Sequence, residues 1–188
     1  MPGYPVGIIF CGNSRRNGWS FHPKIRKKLI ADHEGKSILH LFGGASTFGT
    51  RMDIDPLTQP DILGDAWLPP FACRSFDVVI LDPPYFHLSA QTKTALFRAA
   101  GYIARERVVW WHTVYVSGSG GLQPEASWLV KTGDSCHVRT LQYFRIKDRP
   151  GPVKNFLRGP TMKYNRWLAG QLTLPGAEQV HSGLRVKR

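Results

Sequence analysis

The most constraining feature of the chain is a run of four apolar residues, Val78 to Leu81, that ends directly in Asp82. A run this short, apolar at every position, predicts a buried strand. Pro83 and Pro84 follow, and they stop the ladder of backbone hydrogen bonds. The chain is therefore expected to fold around a buried strand that delivers a carboxylate to its C-terminal end.

The residues after this strand suit a flat ring that carries an amino group. With no strand partner to bond, the carbonyl of Asp82 or Pro83 can accept from a ligand, and so can the Asp82 side chain. Tyr85 supplies a ring on which a planar base can stack. Together these groups would hold an exocyclic amine and make its nitrogen lone pair available. The structural alternative is a buried strand followed by a tight turn.

Short apolar segments alternate with helical segments or loops along the rest of the chain. Residues 1–20 are predicted to be irregular, because proline and glycine recur there. Helices are predicted over residues 22–33, with an apolar stripe of Ile25, Leu29 and Ile30, and over residues 90–105. Strands are predicted at Ser37–Phe42, Thr50–Ile54, Asp61–Leu63, Val78–Leu81, Arg107–Val116 and His137–Ile146. This order predicts an α/β fold with a mainly parallel central sheet flanked by helices.

Glycines or carboxylates follow the predicted strands, where α/β sheets bind their ligands. Gly43 and Gly44 follow the first strand and would let a ligand approach the backbone closely. Asp53 closes the second strand, where a carboxylate can accept from ribose hydroxyls. Asp65 follows the third and can accept from an adenine amino group. Spacing leaves open whether Asp53 or Asp55 contacts the ribose.

Residues 37–85 resemble motifs I to IV of the class I S-adenosylmethionine-dependent methyltransferases. The sequence Asp82-Pro83-Pro84-Tyr85 resembles motif IV of the amino-methyltransferases, which modify adenine N6, cytosine N4 or, in some RNA enzymes, guanine N2. Residues 21–30, which include Phe21-His22-Pro23-Lys24, resemble motif X of the DNA enzymes. The resemblance implies a Rossmann-like class I methyltransferase fold with an antiparallel late strand, and S-adenosyl-L-methionine as the cofactor.

The resemblance also assigns roles to individual residues. The catalytic residues would be Asp82, Pro83, Pro84 and Tyr85. The cofactor-binding residues would be His22, Pro23, Phe42, Gly43, Gly44, Asp53, Asp65 and Ala66.

One position departs from the family pattern. The family usually carries an acid two residues before Phe42, and this chain has His40 there. Hydrogen bonding to the ammonium group of the cofactor must then come from elsewhere, or the cofactor binds weakly. The other interpretation of His40 is a satisfied histidine of the core.

The net charge of +12, from 25 basic and 13 acidic residues, indicates a polyanionic partner. Basic residues of the N-terminal stretch and of the tail are candidates for nucleic-acid contact: Arg15, Arg16, Lys154, Arg158, Lys163 and Arg166. In the tail, basic residues alternate with Phe156, Tyr164 and Trp167, which suits phosphate contact combined with base stacking. The alternative for the tail is a solvated extension.

With 188 residues, the chain is expected to form one domain (1–188), with an irregular segment at 1–20 and a basic tail at 147–188. A separate target-recognition region does not fit into this length. The first expectation is a DNA-binding, adenine-specific enzyme that methylates N6. The alternatives are an RNA enzyme acting on adenine N6 or guanine N2, and an inactive basic nucleic-acid-binding module. A partner subunit or a homodimer is compatible with each of these.

Cysteine spacing and hydropathy indicate the cellular environment of the chain. Cys11, Cys73 and Cys136 lie far apart, which favours free thiols in a reducing cytoplasm. No apolar run approaches the length needed to span a bilayer, and the first ten residues do not resemble a signal peptide. The histidines lack the spacing of metal ligands, so no metal is expected.

Overall fold

An eight-stranded sheet and two helices account for most of the part of the chain that the structure describes. The computed structural model describes residues 6–11, 21–84, 90–113, 115–118, 121–132 and 138–147. The helices are α1 (Pro23–Asp32) and α2 (Ala90–Ile103). The strands are β1 (Val6–Cys11), β2 (Ile38–Leu41), β3 (Thr50–Asp53), β4 (Ile62–Leu63), β5 (Phe76–Leu81), β6 (Ala104–His112), β7 (Leu122–Thr132) and β8 (Val138–Ile146).

The strand order across the sheet is β1-β7-β8-β6-β5-β2-β3-β4. Neighbouring strands are parallel except that β8 runs antiparallel to both β6 and β7. The chain proceeds outward from β2 through β3 to β4 and then returns to the other side of β2 with β5. This reversal is a topological switch point, the place where open α/β sheets bind their ligands. The prediction of a mainly parallel sheet with an antiparallel late strand is confirmed.

The two helices cover opposite faces of the sheet. Successive residues of a strand point to opposite sides, so each strand contributes to the core under both helices. The strand residues packed in the core under α2 include Leu39, Leu41, Val79, Leu81, Val108 and Trp110. The strand residues packed in the core under α1 include Val78, Ile80, Val109 and Trp111. The run of four apolar residues in β5 is buried on both faces of the sheet, and the prediction of a buried strand is confirmed.

Helix α1 departs from the predicted apolar stripe at one position. Ile25 and Leu29 are fully buried, but Ile30 is 40% exposed. Consecutive helical residues are about 100° apart around the axis, so the neighbour of a centrally buried Leu29 turns toward solvent. The helix begins at Pro23, and His22 caps it, because the His22 Nδ1 atom accepts from the Lys24 backbone N–H at 3.2 Å.

The prediction that residues 1–20 are irregular is wrong for Val6–Cys11, which form β1 and pair in parallel with β7. Gly7 is a strand residue here and leaves space for a neighbouring ring. A Cβ atom added at Gly7 would lie 2.7 Å from Cδ1 of Trp128. Gly7, one of the glycines on which the prediction of irregular structure rested, is therefore the residue that permits this packing.

Strand β7 was not predicted from the sequence, in which Pro124 and Glu125 interrupt the apolar pattern. The pairing of β7 with β8 shifts register between Pro124 and Ala126. Strand β1 pairs with β7 only from Ser127 onward. Pro124 therefore lies where β1 requires no hydrogen bond from it, which is where a strand tolerates proline.

The remaining predicted elements end within a few residues of the observed ones. The largest difference is in β6, which begins at Ala104 and ends at His112 instead of spanning Arg107–Val116. Cys11 is buried and Cys73 is exposed, and neither forms a disulfide bond with a described residue. Among the described residues, no helix is long and apolar enough to cross a membrane.

Candidate active site

The ends of β3, β2 and β5 lie side by side at the carboxyl edge of the sheet. Leu41 is in register with both Met52 and Leu81, so the residue after each of these three lies at the same edge. The Asp82 backbone N–H donates to the Leu41 carbonyl at 3.4 Å. The structure thus brings together Phe42, Asp53 and Asp82, which the sequence separates by up to 40 positions.

The turn after β2 contains two residues in the left-handed region of backbone conformation. Phe42 has a φ of 61°, in the left-handed region that bulky residues seldom adopt. Gly44 follows with a φ of 48°. A Cβ atom on Gly43 would lie 2.8 Å from Cβ of Arg51, so this position requires glycine. Strained backbone of this kind occurs mostly at functional sites, and here it coincides with the switch point.

Asp53 ties the turn after β2 to the end of β3. Its Oδ2 atom accepts from the Gly44 backbone N–H at 2.8 Å, and its Oδ1 atom accepts from the Asp55 N–H at 3.0 Å. Each carboxylate oxygen has a second lone pair for a further donor. Asp55 instead accepts from the Leu57 N–H at 2.9 Å and caps a short 3-10 turn. Asp53 is thus the carboxylate held against the glycine turn.

Asp65 follows β4 on the same side of the switch point. Its side chain accepts from the Trp67 backbone N–H at 2.9 Å, and it is half-buried. Burial raises the pKa of this carboxyl group above its usual range, and the hydrogen bond from Trp67 offsets only part of that effect. Ala66 and Trp67 are buried beside it, and the Trp67 ring meets that of Phe42 edge-on at 5.8 Å.

The start of α1 reaches β2 through Phe21, whose ring stacks on His40 at 5.1 Å. His22 and Pro23 directly follow Phe21, which places the segment that resembles motif X beside the strand that precedes the glycine turn.

His40 is a core residue, as one of its two interpretations predicted, but its hydrogen bonds are not satisfied among the described residues. It is 1% exposed, and its ring also packs against Phe48 at 6.0 Å. Neither ring nitrogen has a hydrogen-bond partner among the described residues. Burial, with a smaller contribution from the nearby Arg51 cation, lowers the pKa of His40 to about 3, so the ring is neutral.

Sequence reasoning missed Ser46. Its side chain is 4% exposed, and its Oγ atom has no hydrogen-bond partner among the described residues. The Ser46 N–H donates to the Gly43 carbonyl at 3.0 Å, which folds the residue back onto the glycine turn. The only available signal was a small polar residue two positions after Gly44.

Several predicted residues lie outside the described part of the chain. These are Tyr85 of the catalytic set and Arg15, Arg16, Lys154, Arg158, Lys163 and Arg166 of the nucleic-acid set. Within the described part, no group of three or more His, Cys, Asp or Glu side chains is arranged to hold a metal ion.

No protein-family model and no curated protein sequence matches the chain. It is similar to the solved structure of the N-methyltransferase NodS from Bradyrhizobium japonicum, with a TM-score of 0.52 and 10% identity over 66% of this chain and 94% of that one. It is also similar to a candidate RNA methyltransferase from Pyrococcus horikoshii, with a TM-score of 0.51 and 14% identity over 66% and 82% of the two chains. These likenesses show a Rossmann-like class I methyltransferase fold.

Proposed function

We propose that this chain is an S-adenosylmethionine-dependent methyltransferase that acts on an exocyclic amino group of a nucleic-acid base, with adenine N6 in DNA as the first choice. One observation carries the proposal. The glycine turn bound to Asp53 and the Asp82-Pro83-Pro84 segment end neighbouring strands on the two sides of one switch point. Two different ligands bound there would meet.

The residues on the β2–β3–β4 side fit the cofactor. The turn from Phe42 to Gly44 would border it, Asp53 would accept from its ribose, and Asp65 from its adenine amino group. A half-buried Asp65 with a raised pKa is stabilised in its charged form by an added N–H donor. The buried Ser46 Oγ atom also has unused hydrogen-bonding capacity here. When bound, S-adenosylmethionine supplies a methyl group already activated by its sulfonium.

The residues on the β5 side fit the acceptor amine. The Asp82 side chain and the Pro83 carbonyl would accept its two hydrogens and hold its lone pair in line with the methyl group. Tyr85, outside the described residues, would stack on the base after it leaves its helix. Most of the rate comes from this alignment and from the exclusion of water. Asp82 need not be a strong base, since the proton can leave after transfer.

The test is an Asp82→Ala variant. We expect methyl transfer to fall by about 100-fold or more, because the amine loses an orienting acceptor. The dissociation constant of the cofactor should stay within about threefold, because removal of one acceptor on the β5 side leaves the β2–β3–β4 side intact. An Asp82→Asn variant is the matched control, since its amide oxygen still accepts, and it should keep more activity than the alanine variant.

The measurement is incubation with radiolabelled S-adenosylmethionine and, separately, duplex DNA, single-stranded DNA and total RNA, followed by nucleoside analysis. Cofactor binding is followed by calorimetry. Full activity of the alanine variant would contradict the role of Asp82. Label found only in RNA would show that the substrate is RNA and not DNA.

The second candidate function is an inactive nucleic-acid-binding module. It is favoured by His40, which stands where the family usually carries an acid and which is neutral and buried. A calorimetric titration with S-adenosylmethionine that shows no heat, repeated at two temperatures, would favour this module over the enzyme.

A further inference from the structure

Charge is divided unevenly along the carboxyl edge of the sheet. Among the described residues, carboxylates lie at or just after the ends of β3 and β4, while cations occupy the edge beyond β5. The carboxylates on the first side are Asp53, Asp55 and Asp65. The cations on the second side are Lys24 and Lys93 in the first turns of α1 and α2, Lys131 near the end of β7, and Arg139 at the start of β8.

Two cations at the opposite, amino half of the sheet have carboxylate partners. Lys36 pairs with Glu106 at 2.7 Å, and Arg105 pairs with Asp77 at 2.7 Å. At the carboxyl edge, by contrast, Lys93 makes no ion pair within the described ranges, and the same holds for the exposed Lys131. Lys93 and Lys131 therefore contribute positive charge at the carboxyl edge that no ion pair with a described carboxylate offsets.

Two of these cations, Lys93 and Arg139, lie close to the proposed acceptor site. Leu81, which precedes Asp82, is in register with Trp110, two residues before the end of β6 at His112. Burial lowers the pKa of His112 to about 4, and the charges of Lys93 and Arg139 add to this effect, so both cations lie near the ring. Arg139 also lies over the Trp111 ring at 5.5 Å.

We infer that a nucleic-acid strand crosses the carboxyl edge over β6, β8 and β7, with its phosphates on Lys93 and Lys131, on either side of Arg139. The inference rests on the proposed function, because it assumes that the base enters beside Asp82. The edge from β6 to β1 is about 14 Å wide at about 4.8 Å per strand, a length over which one strand of a duplex carries about four phosphates. The carboxylates on the other side would repel the strand and direct it away from the cofactor.

The experiment compares a Lys93→Ala/Lys131→Ala variant with the full-length wild-type chain. Binding to a fluorescent single-stranded DNA and to the same sequence as RNA is measured by anisotropy between 50 and 400 mM salt. Loss of two phosphate contacts should reduce the magnitude of the negative slope of log K against log salt by about 1.4, because each contact with a single strand contributes about 0.7. If the variant and the wild type bind equally at 1 M salt, this difference in slope makes the variant bind about 25-fold more weakly at 0.1 M salt.

A Lys36→Ala/Arg105→Ala variant is the matched control. It removes the same charge from the opposite half of the sheet, and its slope should stay within about 0.3 of the wild type. Cofactor calorimetry and thermal unfolding of each variant report whether it is folded.

The inference fails if the Lys93/Lys131 variant is folded and keeps the wild-type slope with both polymers, or if the control loses as much. Since catalysis is not measured, these outcomes are independent of the Asp82 test. A slope change with DNA, RNA or both supports the inference and identifies the polymer.

Discussion

His40 lies in β2, with its ring packed against those of Phe21 and Phe48. A protonated imidazole in this position would be a buried cation near Arg51 with no carboxylate partner among the described residues. The folded chain therefore resists protonation of this ring down to a pH of about 3, whereas the unfolded chain takes up the proton near 6.5. The unfolded state thus binds more protons between these two values, and stability falls as the pH falls through that window.

A His40→Leu variant should remove this part of the acid sensitivity. At pH 7 we expect its free energy of unfolding to differ from the wild type by less than about 1.5 kcal/mol, because the volume is similar and two buried ring nitrogens without partners are removed. Between pH 6.5 and 4 the wild type should lose about 1.4 kcal/mol more per pH unit than the variant. Urea unfolding at pH 7 and pH 5 measures the difference, about 2 kcal/mol at pH 5.

His33 and His112 are also buried with lowered pKa values, but they are present in both proteins and cancel in the comparison. Parallel pH profiles for the two proteins would contradict a neutral, buried His40.

At the residue scale, the sequence identified the groups that strand ends must bring together. Asp53 lies against Gly44 and Asp82 lies beside Phe42 because parallel strands share a carboxyl edge, a rule that needs no knowledge of side-chain packing. The left-handed backbone of Phe42 and the burial of Ser46 were not predictable in this way, since both depend on how the turn packs.

At the element scale, β1 depends on a contact between two strands. Gly7 lies under the Trp128 ring of β7, and the Lys28 ammonium group of α1 lies over the same ring at 4.1 Å from its centre. The ring thus lies close to both the Gly7 backbone and the Lys28 cation. The local sequence pattern predicted neither strand. In β1, the outward face is as apolar as the inward face, so the alternation typical of a strand is missing. In β7, Pro124 interrupts the pattern, and it is tolerated because β1 does not pair with that part of the strand.

A Gly7→Ala variant should weaken this packing. The new Cβ atom would meet Cδ1 of Trp128 at 2.7 Å, so the ring must shift from its position beside Lys28 or β1 must separate from β7. Overpacking of this kind costs about 1 to 3 kcal/mol of unfolding free energy, measured by urea denaturation. An Ile8→Ala variant is the control, because that side chain is 63% exposed and its loss should cost much less. Equal stabilities for the wild type and the Gly7 variant would mean that the ring does not rest on Gly7.

At the scale of the whole molecule, the switch point divides the carboxyl edge into an acidic part and a basic part. The fold produces this division because β2, β3 and β4 spread to one side and β5, β6, β8 and β7 to the other. Sequence charge alone predicted a polyanionic partner but not its position, since Lys93, Lys131 and Arg139 become neighbours of one edge only through the strand order. A positively charged methyl donor and a polyanionic acceptor would thus be attracted to different sides of one site.

Salt should therefore separate the two binding events. The two phosphate contacts, on Lys93 and Lys131, predict that single-strand affinity falls by about 25-fold or more between 50 and 500 mM salt. Cofactor affinity should change by no more than about threefold, because its contacts are hydrogen bonds in a partly buried turn that salt screens weakly. Anisotropy with an oligonucleotide and calorimetry with S-adenosylmethionine, run on the same samples, measure both. A parallel loss of both affinities would show that the two ligands share one electrostatic surface and that the division at the switch point has no functional meaning.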